Sequence, residues 1–163
     1  MHKLFYIFLT LTMLACNALD SAIVVSPFDS AVRINGRFAK EAAAQDTVVR
    51  TSFSGTSFTI AFEGTDVGIL LKSPGNVFGV IVNGEEMPPL DLSNNNGEYH
   101  VLAKNLEKRI HVVTVAKRTE SSQGDDIFRG FKIKGFSKKE ALPPVPELKI
   151  EFLGNSITAG YGV

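Results

Sequence analysis

Residues 58–71 read Phe58-Thr59-Ile60-Ala61-Phe62-Glu63-Gly64-Thr65-Asp66-Val67-Gly68-Ile69-Leu70-Leu71. Phe58, Ile60 and Phe62 fall two apart. In extended backbone they share one face, while Thr59 and Ala61 take the other. Glu63-Gly64-Thr65-Asp66 turns the chain, and Val67, Ile69 and Leu71 return it with the same period. That two-residue rhythm sets the reading of everything from Ile23 to Phe136, which carries strand patterns and no convincing helix.

Working outward, Val32-Arg33-Ile34-Asn35-Gly36-Arg37-Phe38 alternates, and Thr47 to Phe53 reads as another strand. Between them, Ala39 to Gln45 holds helix formers but is too short to stand alone as a helix. Val77 to Val82 runs into Asn83-Gly84, the strongest short hairpin signal available. Asn94-Asn95-Asn96-Gly97 is a second turn cluster. Tyr99 to Ala103, Ile110 to Lys117 and Ile127 to Ile133 complete the set. Eight or so short strands with polar turns predict an all-β domain over 22–136, a two-layer sandwich or jelly roll. Each Phe or Ile buried between the layers stabilises it by roughly 1.5–3 kcal/mol.

Composition agrees with a globular chain. Hydrophobic residues make up 44% of the 163 positions, and 17 basic residues balance 17 acidic ones. A formal charge of zero gives no basic field to gather nucleic acid. The single cysteine, Cys16, leaves no internal disulfide to form. No cluster of Cys, His and carboxylates stands at ligand spacing, so neither a metal nor another cofactor is expected.

The amino end reads as a targeting segment over 1–18. Met1-His2-Lys3 is basic, and Leu4 to Ala15 is almost wholly apolar. That run is too short for a membrane span, which needs about 20 residues, and suits a secretory signal core. Two exits compete. Leu14-Ala15-Cys16 resembles the lipobox of bacterial lipoproteins and makes Cys16 a lipidation candidate. Cys16-Asn17-Ala18 instead offers small residues for ordinary cleavage. Either exit places the mature protein outside the cytoplasm, secreted or lipid-anchored at the cell envelope.

After Phe136 the composition shifts. Residues 137–147 are polar and then proline-rich, the pattern of a semi-rigid linker. Residues 148–163 read as the start of an α/β domain. Leu148 to Leu153 is a short apolar strand that breaks at Gly154, and Ser156 follows on a glycine-rich turn. A ligand site at the carboxyl end of a first strand is the common arrangement in such domains. The expectation is a fragment truncated where that domain begins, with 148–163 disordered or docked on the sandwich.

Ser156 is the candidate nucleophile. A serine at a strand-to-helix turn has its own N–H free for a developing oxyanion, and the helix start adds positive potential. Gly154 and Gly160 let substrate approach the backbone. A P-loop is excluded because five residues, not four, separate Gly154 from Gly160, and Tyr161 follows. The dinucleotide fingerprint and the Gly-x-Ser-x-Gly elbow fail too, since Asn155-Ser156-Ile157-Thr158 supplies neither. A Ser or Asn that merely caps the next helix is the competing reading.

The block Gly154-Asn155-Ser156-Ile157-Thr158-Ala159-Gly160-Tyr161-Gly162 resembles the first block of the SGNH (GDSL-type) hydrolases, whose domain is flavodoxin-like. A sandwich placed before it, with Lys117-Arg118-Thr119-Glu120, Phe131 and the proline linker, is similar to carbohydrate esterase family 2, a set of acetyl-xylan esterases. The resemblance implies Ser156 as nucleophile and its N–H as one oxyanion donor, with Gly154 and Asn155 supporting the turn. Asn155 stands where many members have Asp. The family's remaining oxyanion donors and its Asp-x-x-His would lie beyond Val163. The implied reaction is deacetylation of a plant-type polysaccharide or oligosaccharide through an acetyl-enzyme, with the fragment itself inactive. Alternatives are a non-catalytic carbohydrate-binding or structural sandwich, and an SGNH lipase or phospholipase.

His2 belongs to the leader. His100 and His111 sit in predicted strands, and His111 alternates with Val113 and Val115. A partly buried, hydrogen-bonded histidine is therefore expected there rather than a catalytic base. Lys117, Arg118 and Glu120 are expected at a solvated strand end, where ion pairs contribute little.

Overall fold

A computed structural model describes residues 22–43, 46–135 and 138–140, together with Leu142, Pro144 and Gly154. The expected signal segment with Cys16, and the turn residues Asn155 and Ser156, lie outside the described residues.

Twelve strands are present among the described residues: β1 (Ile23–Val25), β2 (Val32–Asn35), β3 (Ala39–Ala43), β4 (Asp46–Thr51), β5 (Ser57–Gly64), β6 (Asp66–Lys72), β7 (Val77–Val82), β8 (Glu85–Asp91), β9 (Tyr99–Ala103), β10 (Arg109–Lys117), β11 (Asp126–Lys134) and β12 (Lys138–Lys139). The eight from β4 to β11 form two antiparallel sheets of four, ordered β4-β11-β6-β9 and β5-β10-β7-β8. Successive strands change sheet at every step except the β7–β8 hairpin, which is jelly-roll topology. The short strands β1, β2, β3 and β12 extend the edges.

The alternation read from sequence decides which side faces inward. Phe58, Ile60 and Phe62 of β5, Val67, Ile69 and Leu71 of β6, and Val113 and Val115 of β10 are all buried in one core between the sheets. Phe58 from one sheet stacks on Phe128 from the other, with ring centroids 4.2 Å apart. Phe131 meets Phe128 edge-on at 5.3 Å. Such ring pairs add roughly 0.5–1.5 kcal/mol beyond the area they bury.

Three segments depart from expectation. The turn at Glu63-Gly64-Thr65-Asp66 does not close a hairpin. Thr65 alone links β5 to β6 and carries the chain from one sheet to the other, its N–H donating to the Lys134 carbonyl at 3.0 Å. The helix formers at Ala39–Ala43 are a strand paired with β4, because a sheet edge satisfies their backbone and one short turn of helix would not. The start of the polar segment at 137–147 still belongs to the sandwich. Lys138 and Lys139 pair with Glu63 and Phe62, and the Glu140 N–H donates to the Ala61 carbonyl at 3.2 Å.

The Asn83-Gly84 signal holds. Both residues have positive φ, 54° and 88°, as a primed two-residue turn requires, and Val82 faces Glu85 across it. The returning strand β8 carries Pro88 and Pro89. A proline has no N–H for a ladder, and β8 is an edge strand with a register irregularity opposite Phe78 and Val80.

β11 contains the bulge on which its inward face depends. The register against β6 slips between Phe128 and Gly130. A strict two-residue period from Phe128 would send Phe131 outward. The slip turns Phe128, Phe131 and Ile133 all into the core. Gly130 has φ +126°, and a Cβ there would lie 2.1 Å from the Val25 carbonyl oxygen. Gly130→Ala is therefore expected to destabilise the domain by at least about 2 kcal/mol, combining backbone strain with a collision against β1. Guanidinium unfolding measures this. A midpoint equal to wild type would mean that β1 and β11 are not so closely apposed.

Candidate active site

Gly154 is exposed and in no regular element. The serine chemistry expected at Ser156 thus depends on residues outside the description, and the described domain is informative about which of its own groups could assist.

Both histidines are committed to structure. His111 lies on the inner row of β10 and is buried. Its Nδ1 accepts from the Asn83 amide at 2.9 Å, and its Nε2 donates to the Glu107 carbonyl at 2.7 Å. That assignment follows because Nδ1 faces a donor and Nε2 faces an acceptor. Asn83 is thereby held twice, since its Oδ1 also accepts from the Val112 N–H at 3.1 Å. His100 is buried on β9 and donates from Nε2 to the Leu71 carbonyl at 2.9 Å. The expectation of a partly buried His111 with a satisfied hydrogen bond is met, with deeper burial. A general base needs a ring nitrogen free to take a proton, and His111 has none.

The largest surprise is Lys117. Its expected place at a solvated strand end is wrong, and the reason was present in the sequence. Lys117 continues the period of His111, Val113 and Val115, so β10 turns it inward. Its ammonium donates to Asp126 Oδ2 at 2.9 Å and to the Gly124 carbonyl at 3.1 Å, and both side chains are 0% exposed. Ser73 donates a short hydrogen bond to the other oxygen of Asp126, and the Asn76 amide donates to it at 3.2 Å. Thr119 in turn donates to the Asn76 side-chain oxygen at 2.6 Å. Arg118, the next residue, does point to solvent and pairs loosely with Glu86 at 3.6 Å.

A serine, a carboxylate and a lysine in contact resemble a nucleophile set, yet this cluster is sealed. Ser73, Asp126 and Lys117 are at most 3% exposed, so no ester reaches them. The cluster closes one end of the core with every charge paired. Burial holds the Asp126 carboxyl above the usual carboxylate range, against the pull of the Ser73 and Lys117 hydrogen bonds. Among the described residues, no group of three or more His, Cys, Asp or Glu is placed to hold a metal, and no helix is long and apolar enough to cross a membrane.

The class is therefore a jelly-roll sandwich that leads through a proline-rich segment into a candidate serine turn. A family model described as carbohydrate esterase 2 N-terminal matches residues 34–146, and the chain belongs to that family. It is 31% identical over 151 residues to the acetylxylan esterase / glucomannan deacetylase of Cellvibrio japonicus, covering 92% of this chain and 40% of that protein. It is 37% identical over 114 residues to the cellulase/esterase CelE of Acetivibrio thermocellus, covering 69% of this chain and 14% of that protein. Among solved structures, a family two carbohydrate esterase from Clostridium thermocellum, in complex with cellohexaose, superposes with a TM-score of 0.68 at 35% identity. That match covers 80% of this chain and 39% of that one. The chain thus spans two fifths or less of the length of these relatives. The match to the Cellvibrio protein is long enough to run past the sandwich into the proline-rich segment.

Breaking the buried pair from one side leaves an uncompensated charge. Lys117→Met is expected to cost about 3–5 kcal/mol at neutral pH, while replacing both partners with apolar residues costs less. The sign of the pH dependence follows from Asp126. Its folded value is already raised, and losing Lys117 raises it further. The folded state then binds a proton that the unfolded state does not, so acidification from neutral pH favours folding at this site. Urea unfolding should show the Lys117→Met deficit shrinking as pH falls from about 7 to 5. A deficit that is constant with pH would mean that Asp126 is not left charged by the substitution.

Proposed function

We propose that this sandwich is the amino-terminal domain of an exported carbohydrate esterase. The enzyme removes acetyl groups from a polysaccharide, with Ser156 as nucleophile. The observation that carries the reading is adjacency. A family match over residues 34–146 is followed, after the short apolar run that ends at Leu153, by Gly154-Asn155-Ser156-Ile157-Thr158-Ala159-Gly160, the SGNH-like turn. The names of the relatives, an acetylxylan esterase / glucomannan deacetylase and a cellulase/esterase, support acetylated polysaccharide as substrate. The basic start and apolar core of residues 1–18 support export, with Cys16 as candidate lipid anchor.

In this mechanism Ser156 Oγ attacks the acetyl carbonyl as a base removes its proton. The carbonyl oxygen becomes an oxyanion held by the Ser156 N–H and by donors from the rest of the catalytic domain. The sugar hydroxyl leaves with a proton, and water hydrolyses the acetyl-enzyme. The histidines of the sandwich are occupied or buried, so the base is a histidine of the catalytic domain, the role the SGNH resemblance gives to Asp-x-x-His. Gly154 and Asn155 brace the turn.

The test is acetate release from acetylated xylan and from an aryl acetate by the full-length enzyme. Ser156→Ala should lower kcat by on the order of 10³-fold or more with the fold intact. The 163-residue chain alone should show little or no turnover, lacking base and donors. Full activity in Ser156→Ala would overturn the assignment of the nucleophile.

A further inference from the structure

The sequence contains three Asn-Gly steps, Asn35-Gly36, Asn83-Gly84 and Asn96-Gly97. Each carries a latent reaction. Glycine has no side chain to shield its backbone nitrogen, and that nitrogen can close a ring on the carbonyl carbon of the asparagine amide. Closure needs rotation about the asparagine Cα–C bond and a side-chain amide free to swing toward the glycine. The sequence gives the three steps equal standing, and the structure separates them.

Asn35 ends β2 and pairs with Ser57 of β5, which holds its backbone extended. Gly36 lies against Thr56 and cannot swing. A Cβ there would stand 2.7 Å from Thr56 Oγ1 and 2.9 Å from its Cα. Asn83 is held through its side chain. Its amide donates to His111 Nδ1 at 2.9 Å, and its Oδ1 accepts from the Val112 N–H at 3.1 Å. Both bonds must break before the amide carbon can meet the Gly84 nitrogen. The Asn83 N–H also donates to the Val112 carbonyl at 2.8 Å, which fixes the turn itself.

Asn96 has none of these restraints. It is exposed, it lies between β8 and β9 outside any strand or helix, and its side chain makes no hydrogen bond among the described residues. The Gly97 N–H donates to Asn95 Oδ1 at 2.8 Å, a surface bond that water can replace. The loop is fixed only at its ends. The Leu92 N–H donates to the Asn76 carbonyl at 2.9 Å, and the Leu71 N–H to the Glu98 carbonyl at 2.8 Å. A change at Asn96 is thus confined to the stretch between them.

We propose that Asn96 is a site of spontaneous modification, deamidating to aspartate and isoaspartate, while the fold protects Asn35 and Asn83. The Gly97 nitrogen attacks the Asn96 amide carbon. Its proton passes through solvent to the amide nitrogen, the bond from Cγ to that nitrogen breaks, and ammonia leaves a cyclic imide. Water then adds to one or the other imide carbonyl and opens the ring, giving aspartate or isoaspartate at position 96. Water is the only co-reactant.

The experiment incubates the 163-residue chain in mildly alkaline buffer, folded and in concentrated guanidinium, and follows each Asn-Gly peptide by mass spectrometry after digestion. In the folded chain Asn96 is expected to convert at least roughly tenfold faster than Asn35 or Asn83, a barrier difference of about 1.4 kcal/mol. In guanidinium the three rates should converge to within about threefold, because only the fold separates them. Both isoaspartyl and aspartyl peptides should appear at position 96, since direct hydrolysis of the amide would give aspartate alone. Gly97→Ala should slow conversion roughly tenfold. Gly97 has no positive φ, and a methyl there would crowd only the movable Asn95 Oδ1, at 2.9 Å, so thermal unfolding of this variant should match wild type. Asn35 or Asn83 converting as fast as Asn96 in the folded chain would overturn the proposal. So would the same ranking in guanidinium, aspartate without isoaspartate, or an Asn96 that stays intact in the folded chain while the unfolded chain converts.

Discussion

The inner row of β10 organises the domain: His111, Val113, Val115 and Lys117, each buried and each pointing between the sheets. The middle of that row is apolar and the ends are polar. A strand long enough to cross the sandwich must turn whatever stands at its inward positions toward the core, whether or not that residue favours burial. A lysine so placed has to find a counter-charge, because an unpaired buried ammonium costs several kcal/mol. Asp126 opens β11 on the facing sheet and supplies it at 2.9 Å. The pair thus does more than close one end of the core. It ties the start of β11 to the end of β10, and through Ser73 and Asn76 it reaches the loop between β6 and β7. Apolar residues of similar volume would pack there at no greater cost. The gain from a charged pair is directional, because the observed register of β11 brings Asp126 to that ammonium while Phe128, Phe131 and Ile133 stay in the core. That is the way buried polar groups contribute specificity rather than stability.

A second constraint acts at the sheet edges, where single strands are shared by two neighbours. β4 pairs with residues 126–128 of β11 and β1 with residues 131–133, so the edge changes owner at Gly130. On the other sheet, β5 is flanked by β2 at residues 57–60 and by β12 at residues 62–63. Ala61 sits at that junction with both backbone groups used, donating to the Ala31 carbonyl and accepting from Glu140. Each handover leaves a stretch of backbone that would otherwise be unpaired. The first is solved by removing a side chain, the second by threading the exit segment alongside β5. The chain is therefore anchored to the sheet as far as Glu140.

Much of this was legible in the residues. Wherever two-residue alternation ran unbroken, as in β5, β6, β10 and the hairpin at Asn83-Gly84, strand and inward face were both readable, because burial of one face is what selects the register. What escaped had other causes. β8 carries Glu85, Glu86, Pro88 and Pro89 and shows no apolar rhythm, since an edge strand buries little. β3 looked helical by composition, and pairing with β4 overrode propensity. The Thr65 crossover had the signature of a hairpin, and nothing local tells a turn within a sheet from a step between sheets. Phe131 faces inward only because of the bulge at Gly130, which shifts the period mid-strand. Lys117 is the opposite case: the two-residue period is intact and turns it inward, against the usual preference of a lysine for solvent. For the site, the serine block was the clearest signal of all, and its geometry belongs to residues beyond the described domain.

On the proposed reading, the division of labour follows from how His100 and His111 are used. A jelly roll that spent a histidine on catalysis would need a ring nitrogen open to solvent at an end of the sandwich. Instead His111 is clamped at both nitrogens, and His100 is buried against Leu71. The two His111 bonds tie the Asn83 turn to the start of β10, and the single His100 bond ties β9 to the end of β6. The domain's contribution to an esterase then lies outside proton transfer. It holds the segment that leaves the sandwich, through β12, against β5.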